Sequence, residues 1–382
     1  MKILYFNQTG EIGGAETSLL DNLEFLRERG HQLAVAAPEN GPLLGRAVVR
    51  GADTYPVECE PIRVSAGAGS LPEYIRATMR NARAFSGVCN AAKPDVVHGN
   101  TLRAGLIASI AAGSRIPVIW HIRYRMPDGL VSFMVRQTAS FSAAAIIANS
   151  QFTAGSFSTT ERMKSKTTVI YNGFDFDKFR GRKGNVRVDI GAGEDDIVVA
   201  QVGNIGDIKN QKLTLEAAAV ALQTNPSLRF VFAGSPLFKD ENERYEEELK
   251  ELHASLGLGD RAVFLGYCDD VCEIYSAADI VVCPSRMETF GRVAVEAAAA
   301  GIPVIGACVG GLPEIIDDGR TGVLVRDVTA GKTAAEILRL AGDPDMRGQL
   351  GTAAQKHVTD KFSIRQLVTG LEKVYRQLIK QQ

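Results

Sequence analysis

Apolar residues along this chain come in two alternating textures. Short unbroken runs (KILYF, HQLAVAA, DVVHG, IPVIWH, AAIIANS, TTVIYNG) punctuate its first half. Between them lie longer stretches in which apolar residues recur every three or four positions. The short runs have the length and β-branched content of buried strands. The longer ones, roughly 14–29, 71–91, 103–112 and 130–141, have the period of amphipathic helices. After residue 184 the alternation restarts. IVVAQVG, LRFVFAG, AVFLGY, DIVVCPS, IPVIGA and TGVLV read as strands, with helices at about 211–224, 240–257, 291–300 and 329–341. Continuous apolar strands alternating with helices belong to parallel sheets covered on both faces. Two such runs predict two doubly wound, Rossmann-like α/β domains.

The join falls where periodicity fails. NGFDFDKFRGRKGNVRVDIGAGEDD is rich in glycine and charge, as a linker is. The expected organisation is an N-terminal domain over 1–172, a linker over 173–195 and a C-terminal domain over 196–362. The closing pattern SIRQLVTGLEKVYRQLIKQ sets Ile364, Leu367, Val368, Leu371, Val374, Tyr375 and Leu378 on one stripe. Residues 363–382 are therefore expected to form a helix that packs back towards the N-terminal domain.

Composition narrows the class. In 382 residues, 45% hydrophobic and 23% charged is ordinary for a soluble protein and ample for two cores. No apolar run is long enough to span a bilayer, and MKILYFNQTGEIGG turns polar too early for a signal peptide. The six cysteines form no C-x-x-C pair, and Cys268/Cys272 has no second pair to complete a metal site. These features predict a cytoplasmic protein without a disulfide framework. A net charge of −1 and a single tryptophan, Trp120 in a strand, argue against nucleic acid as a partner. The charge is uneven, however. Up to Lys183 there are 22 basic and 15 acidic residues, a net of +7, against −8 for the remainder. The basic half is expected to meet something anionic.

In open parallel sheets, ligands bind beyond the carboxyl ends of the strands. Those positions hold Gly10, Gly13 and Gly14 after KILYF, His98 after DVV, and His121, Arg123 and Arg125 after IPVIW. In the second half they hold Gly203 to Lys209, Gly234, Tyr267 and the stretch ETFGRVAVE. The first loop, TGEIGGAET, lets backbone amides and a helix N-terminus approach a phosphate. It is neither the dinucleotide fingerprint nor a Walker A loop, and a tight turn without a ligand explains it equally well. Glu288 and Glu296 stand on either side of a helix start, about 12 Å apart along its axis. That exceeds the roughly 5–9.5 Å of a paired hydrolytic acid and base. The spacing suits two hydrogen-bond acceptors at opposite ends of one long ligand, such as a nucleotide-sugar. It also suits a solvated helix face with a capping acid.

PSRMETFGRVAVEAAAAGIPVIGACVGGLPEIIDDGRTGVLV resembles the hallmark stretch of glycosyltransferase family 4, the retaining transferases of GT-B fold. GGAE, ERGHQLAV, DVVHGN, IPVIWH, NSQFTA, VIYNGFDFDKF, VGNIGDIKNQ, FAGS and FLGY agree in order and spacing, so the resemblance covers nearly the whole chain. It implies two Rossmann-like domains facing across a cleft. It further implies a metal-independent hexosyl transfer from a UDP- or GDP-sugar to a glycan or lipid-linked acceptor. The setting implied is bacterial cell-surface polysaccharide or glycolipid synthesis, with no cofactor because the nucleotide-sugar is a substrate.

The implied roles fall on particular residues. Glu288 resembles the acid that holds the donor sugar's hydroxyls, and the amides of Thr289, Phe290 and Gly291 would hold the sugar and phosphate. Glu296 resembles the acid on the ribose hydroxyls and Lys209 the lysine that neutralises the leaving diphosphate. Gly14, with Gly13 beside it, resembles the loop glycine at that diphosphate, and His121 the histidine beside the transferred sugar. Tyr267 falls at a donor-side strand end. Members usually read Gly-Arg where this chain has Gly203-Asn204, so Asn204 replaces a cation and Arg292 is a candidate substitute. Asp175 and Asp177 in DFD mimic a metal-binding D-x-D but lie in the linker, and no metal is expected.

Arg123 and Arg125 are candidates to hold an anionic acceptor. Arg76, Arg80 and Arg83 share one helix face beside an apolar side marked by Ile75, Met79 and Ala82. That basic face is expected either to rest against anionic membrane, giving peripheral contact at the inner face of the plasma membrane, or simply to be solvated. Two other classes share the architecture: a nucleotide-sugar epimerase and a non-catalytic nucleotide-sugar-binding protein.

Overall fold

The computed structural model describes residues 1–60, 71–126, 128–179, 184–236 and 240–380. The chain divides into two compact units. One comprises Met1–Phe174 with Phe362–Gln382, the other Asp175–Lys361.

The first unit holds seven strands: β1 (Lys2–Phe6), β2 (Gln32–Ala37), β3 (Asp53–Pro56), β4 (Val96–Gly99), β5 (Val118–Ile122), β6 (Ala145–Ala148) and β7 (Thr167–Val169). They pair in the order β3-β2-β1-β4-β5-β6-β7, every pair parallel. The second unit holds β8 (Ile197–Val202), β9 (Leu228–Ala233), β10 (Ala262–Gly266), β11 (Ile280–Cys283), β12 (Val304–Ala307) and β13 (Val323–Val325). Their order is β10-β9-β8-β11-β12-β13, again parallel. Both sheets are doubly wound, with the order reversing between β1 and β4 and between β8 and β11. A crevice opens at the carboxyl end of a sheet where its order reverses.

The cores follow from the strand runs. Ile3, Leu4, Tyr5 and Phe6 of β1 are fully buried, alternate residues facing the helices on opposite sides of the sheet. The final helix, Ile364–Ile379, packs its predicted stripe into this unit, where Leu371 and Tyr375 join the core of Ile3, Tyr5 and Val35. Phe174 and Ser363 form a bridge that brings the returning chain alongside.

Two features depart from expectation, one in the linker and one on a helix of the first unit. Much of the segment expected as a linker is built into the second unit. Arg187, on the short helix Val186–Asp189, bonds Asp279 at 3.2 Å and the Asp196 carbonyl at 2.6 Å. Asp175 accepts the Asp177 amide at 3.3 Å, which accounts for one acid of DFD as a turn former. On the helix Leu71–Ala92, Ile75 and Met79 are not buried; they are 45% and 42% exposed. The buried stripe is Ala77, Thr78, Asn81, Ala82, Phe85, Val88 and Cys89, so the inward face is one large ring, Phe85 stacked on Phe6, set among smaller side chains. No helix among the described residues is long and apolar enough to cross a membrane.

Candidate functional site

In the second unit the loops after β8 and β11 meet at the strand-order reversal. The Asn210 amide side chain donates to the Pro284 carbonyl at 3.2 Å, and the Arg286 amide donates to the Ile208 carbonyl at 2.8 Å. Gln201 on β8 donates to the Lys209 carbonyl at 2.8 Å. These bonds fix the backbone on which Lys209 and Glu288 stand. Lys209 Nζ donates to Glu288 Oε2 at 2.6 Å, and Ser285 Oγ lies 3.4 Å from the same oxygen. Two residues 79 apart in sequence, one expected at the donor's diphosphate and the other at its sugar, thus touch. Burial pulls the Lys209 ammonium down, but the Glu288 carboxylate more than restores it and its pKa ends above the ordinary lysine value. Burial pushes the neighbouring Cys283 thiol up to about 12, so it is no nucleophile.

Glu288 is held from below by the turn after β12. Gly310 has φ +57°, and a Cβ there would stand 1.9 Å from the Glu288 carbonyl, which accepts the Gly311 amide at 2.8 Å. Only glycine permits that approach. Phe290 is buried in the core, and Gly291 caps the helix Arg292–Ala299. Glu296, on the second turn, is 8% exposed. Tyr275 Oη donates to its Oε2 at 3.1 Å, and an Arg292 Nη lies 3.3 Å from its Oε1. In the free protein Arg292 therefore faces Glu296 and helps to orient it. Arg286, paired with Asp207 at 3.3 Å, is the guanidinium that these loops do carry. Asn204 and Tyr267 stand exposed beyond β8 and β10.

In the first unit, Gly13 caps the helix Gly14–Glu28, and its amide donates to Glu16 Oε2 at 3.0 Å. That capping box engages the Gly13 amide within the protein, and Gly14 opens the helix beside it. His121 is the penultimate residue of β5 and is 1% exposed. Its Nδ1 lies 3.0 Å from His98 Nε2 and 3.2 Å from Arg123 Nη2. His98 Nδ1 lies 2.7 Å from the Tyr375 hydroxyl. Burial, reinforced by the Arg123 cation, pushes His98 down to about 3 and holds His121 well below its ordinary value, so both are neutral. His121 Nε2 finds no partner among the described residues. A buried unsatisfied donor costs about 1–3 kcal/mol, and such an atom is one that a ligand oxygen would satisfy.

Arg123 departs from its reading as a residue open to an acceptor. Its fork turns inward, to the Asn100 carbonyl at 3.0 Å, Asn172 Oδ1 at 2.8 Å and Asn100 Oδ1 at 3.1 Å, and it is 7% exposed. It organises the strand ends and does not meet solvent. Arg125 is 45% exposed at its side chain and lies 3.5 Å from Asp128. The residues that sequence reading missed are partners: Tyr275, Asn100, Asn172 and Tyr375. Their hydrogen bonds join distant segments, and although Tyr375 lies on the predicted apolar stripe, no local pattern marks any of the four as a partner. Among the described residues no three His, Cys, Asp or Glu side chains gather as a metal site needs.

Residues 12–178 match the family described as Glycosyltransferase Family 4, and residues 183–357 the one described as Glycosyl transferases group 1. The chain belongs to glycosyltransferase family 4. Its fold class is GT-B. The Anabaena Alr3699/HepE protein, solved in complex with UDP-glucose, is similar with a TM-score of 0.84 and 25% identity, covering 99% of this chain and 100% of that one. The sucrose-phosphate synthase of Thermosynechococcus elongatus shares the fold, with a TM-score of 0.81 at 20% identity over 100% of both chains. The D-inositol 3-phosphate glycosyltransferase of Saccharomonospora viridis is 34% identical over 216 residues, 55% of this chain and 49% of that protein. The chain spans about half the length of the curated relatives it matches.

Proposed function

We propose that this family-4 protein is a retaining hexosyltransferase. It moves a sugar from a UDP- or GDP-sugar to a glycan or lipid-linked acceptor, without a metal, in bacterial cell-surface polysaccharide or glycolipid synthesis. The observation that carries the reading is the Lys209–Glu288 pair at the β8/β11 reversal, with Glu296 held on the helix that follows. In the free protein the two charges neutralise each other. A bound donor exchanges the partners: the diphosphate takes Lys209, and the sugar's hydroxyls donate to Glu288. Negative charge then develops on the departing diphosphate where a fixed ammonium already stands, and such stabilisation is commonly the largest catalytic contribution. Glu296 accepts from the ribose, Gly14 donates to the diphosphate, and His121 serves the transferred sugar. Support for the donor class comes from HepE, a protein of the same fold that binds UDP-glucose.

The acceptor is proposed to be anionic or lipid-linked, met by Arg125 and presented at the cytoplasmic face of a membrane. Its support is a groove lined by Ile75, Met79, Ile110 and Met134 beside the exposed Arg76 and Arg83.

A thermal-shift panel of nucleoside diphosphates and nucleotide-sugars tests the donor. A ligand at 100 times its Kd adds about 2.7 kcal/mol. Proton NMR of the product then reads the anomeric configuration, with and without chelator. Retention, insensitive to chelator, is expected. Alteration of the donor without acceptor would mean an epimerase, and binding without turnover on any acceptor a binding protein; either overturns the proposal.

A further inference from the structure

Behind His121, the first unit carries an unbroken chain of hydrogen bonds whose directions are all determined by one residue. Tyr5 and Tyr375 hydroxyls lie 2.9 Å apart, Tyr375 reaches His98 Nδ1 at 2.7 Å, and His98 Nε2 reaches His121 Nδ1 at 3.0 Å. His98 also stacks on Tyr5, with centroids 4.7 Å apart. Arg123 Nη2 approaches the same His121 Nδ1 at 3.2 Å. A guanidinium only donates and keeps its protons throughout the usable pH range. His121 Nδ1 must therefore accept, and it carries no proton. His98 Nε2 faces that lone pair and must donate. Burial beside a cation denies each ring a second proton. His98 Nδ1 is consequently bare and accepts from Tyr375, whose oxygen accepts from Tyr5. The one proton of His121 is left on Nε2, the buried atom without a partner among the described residues.

We propose that Arg123, His98 and Tyr375 are positioning residues that fix His121 as its Nε2–H tautomer, making it a hydrogen-bond donor to an oxygen of the transferred sugar and unfit to act as a general base. This rests on the reading that places His121 at the sugar. The groups that bear on its protonation are Arg123 from the loop after β5, His98 on β4, Tyr375 on the final helix and Tyr5 on β1. Among the described residues, none of His121's own hydrogen-bond partners is a carboxylate that would favour the imidazolium. The sequence separation of these groups means that the last helix of the chain sets the chemistry of a residue on the fifth strand.

Nitrogen-15 NMR of the full-length protein labelled at histidine tests this directly, with His121→Asn assigning the signal. The wild type is expected to show His121 protonated at Nε2, bare at Nδ1, and without titration from pH 8 to 5.5. A proton on Nδ1, or titration near pH 6.5, overturns the proposal. Arg123→Met should let a second tautomer appear and lower kcat on the order of tenfold, the size of one misdirected hydrogen bond. The donor KM should stay within about twofold, and Arg123→Lys should restore the single tautomer and part of kcat. A folded Arg123→Met protein that keeps one Nε2–H tautomer overturns the positioning role. The underlying reading fails separately: His121→Ala with unchanged kcat, alongside the expected wild-type spectrum, would remove His121 from the sugar and leave the tautomer chain intact.

Discussion

Lys209 keeps its charge wherever the protein is used, because its pKa stands above the ordinary lysine value in the folded state. The stabilisation from its pairing is present below pH about 10.5 and is lost only as pH rises through the higher folded value. Its loss should therefore show as a constant deficit between pH 6 and 9. Lys209→Ala is expected to weaken a nucleoside diphosphate by about 1.5–3 kcal/mol, the range of a charge-assisted hydrogen bond, and to leave the bare nucleoside unchanged. Titration calorimetry of both ligands decides it; equal losses would move the diphosphate contact to Arg286. Glu296→Gln keeps the shape beside Tyr275 while removing the acceptor charge, and should weaken nucleoside diphosphate binding. Glu288→Gln should mainly lower kcat. Indistinguishable binding defects would end that division of labour. His98 carries the opposite pH signature to Lys209. Its folded pKa of about 3 lies below the unfolded value, so its contribution is full above pH about 6.5 and declines as pH falls. At pH 5 the deficit is about 2 kcal/mol. Urea unfolding at pH 7 and pH 5 should show this slope reduced in His98→Asn. Lys209, Glu288 and Glu296 were legible as candidate positions because they sit in a specific motif, and the structure gathers Lys209 and Glu288 at one strand-order reversal. The burial of Arg123 was not, because an arginine after a strand reads as exposed until Asn100 and Asn172 supply its acceptors.

At the scale of elements, apolar runs declared most strands, since parallel strands covered on both faces tolerate few polar positions. β3 escaped because Asp53–Pro56 is an edge strand with one acid, a proline and two half-buried residues. The helix Pro344–Lys361 escaped because Gly348 and Gly351 blunt its pattern and only Leu350, Gly351, Ala354 and Val358 are buried. Gly351 has a packing reason: a Cβ there would stand 1.9 Å from the Gly301 carbonyl. Alanine would gain about 1 kcal/mol of helix propensity, but the clash forces the helix off the Gly301 turn. Gly351→Ala is therefore expected to lower Tm, and a raised Tm would show that the contact relaxes freely. Gly310→Ala tests the support of Glu288 in the same way. A positive φ alone costs about 1–2 kcal/mol for a residue with a Cβ, and the 1.9 Å approach must also push the Glu288 backbone aside. Activity should fall further than stability, because the displaced residue belongs to the Lys209 pair. A folded variant with undiminished turnover would free that turn from the site.

For the whole molecule, the apparent conflict is between a net charge of −1 and a proposed anionic surface as partner. Distribution resolves it, since screening confines a charge's reach to about 8–10 Å, and the local balance then outweighs the total. On the helix Leu71–Ala92, Arg76 and Arg83 are exposed and have no acidic partner among the described residues, whereas Arg80 is paired with Glu60. Two uncompensated arginines give about 2 kcal/mol against anionic lipid, too little for stable attachment by themselves. The apolar side chains decide the matter. Ile75, Met79, Ile110 and Met134 line one groove of this unit and are 39–45% exposed, and exposed apolar groups in one region mark an interaction surface when rimmed by charge. Both contributions should be visible in vesicle sedimentation. Binding is expected to rise with phosphatidylglycerol content and fall with salt. Arg76→Ala with Arg83→Ala should weaken it about 30-fold. Met79→Ser with Met134→Ser should weaken binding at every salt concentration, because apolar insertion is not screened. Binding that ignores lipid charge and both pairs of changes would leave this face without a membrane, and Ile75 and Met79 would then need a protein partner or a second copy of the chain to cover them.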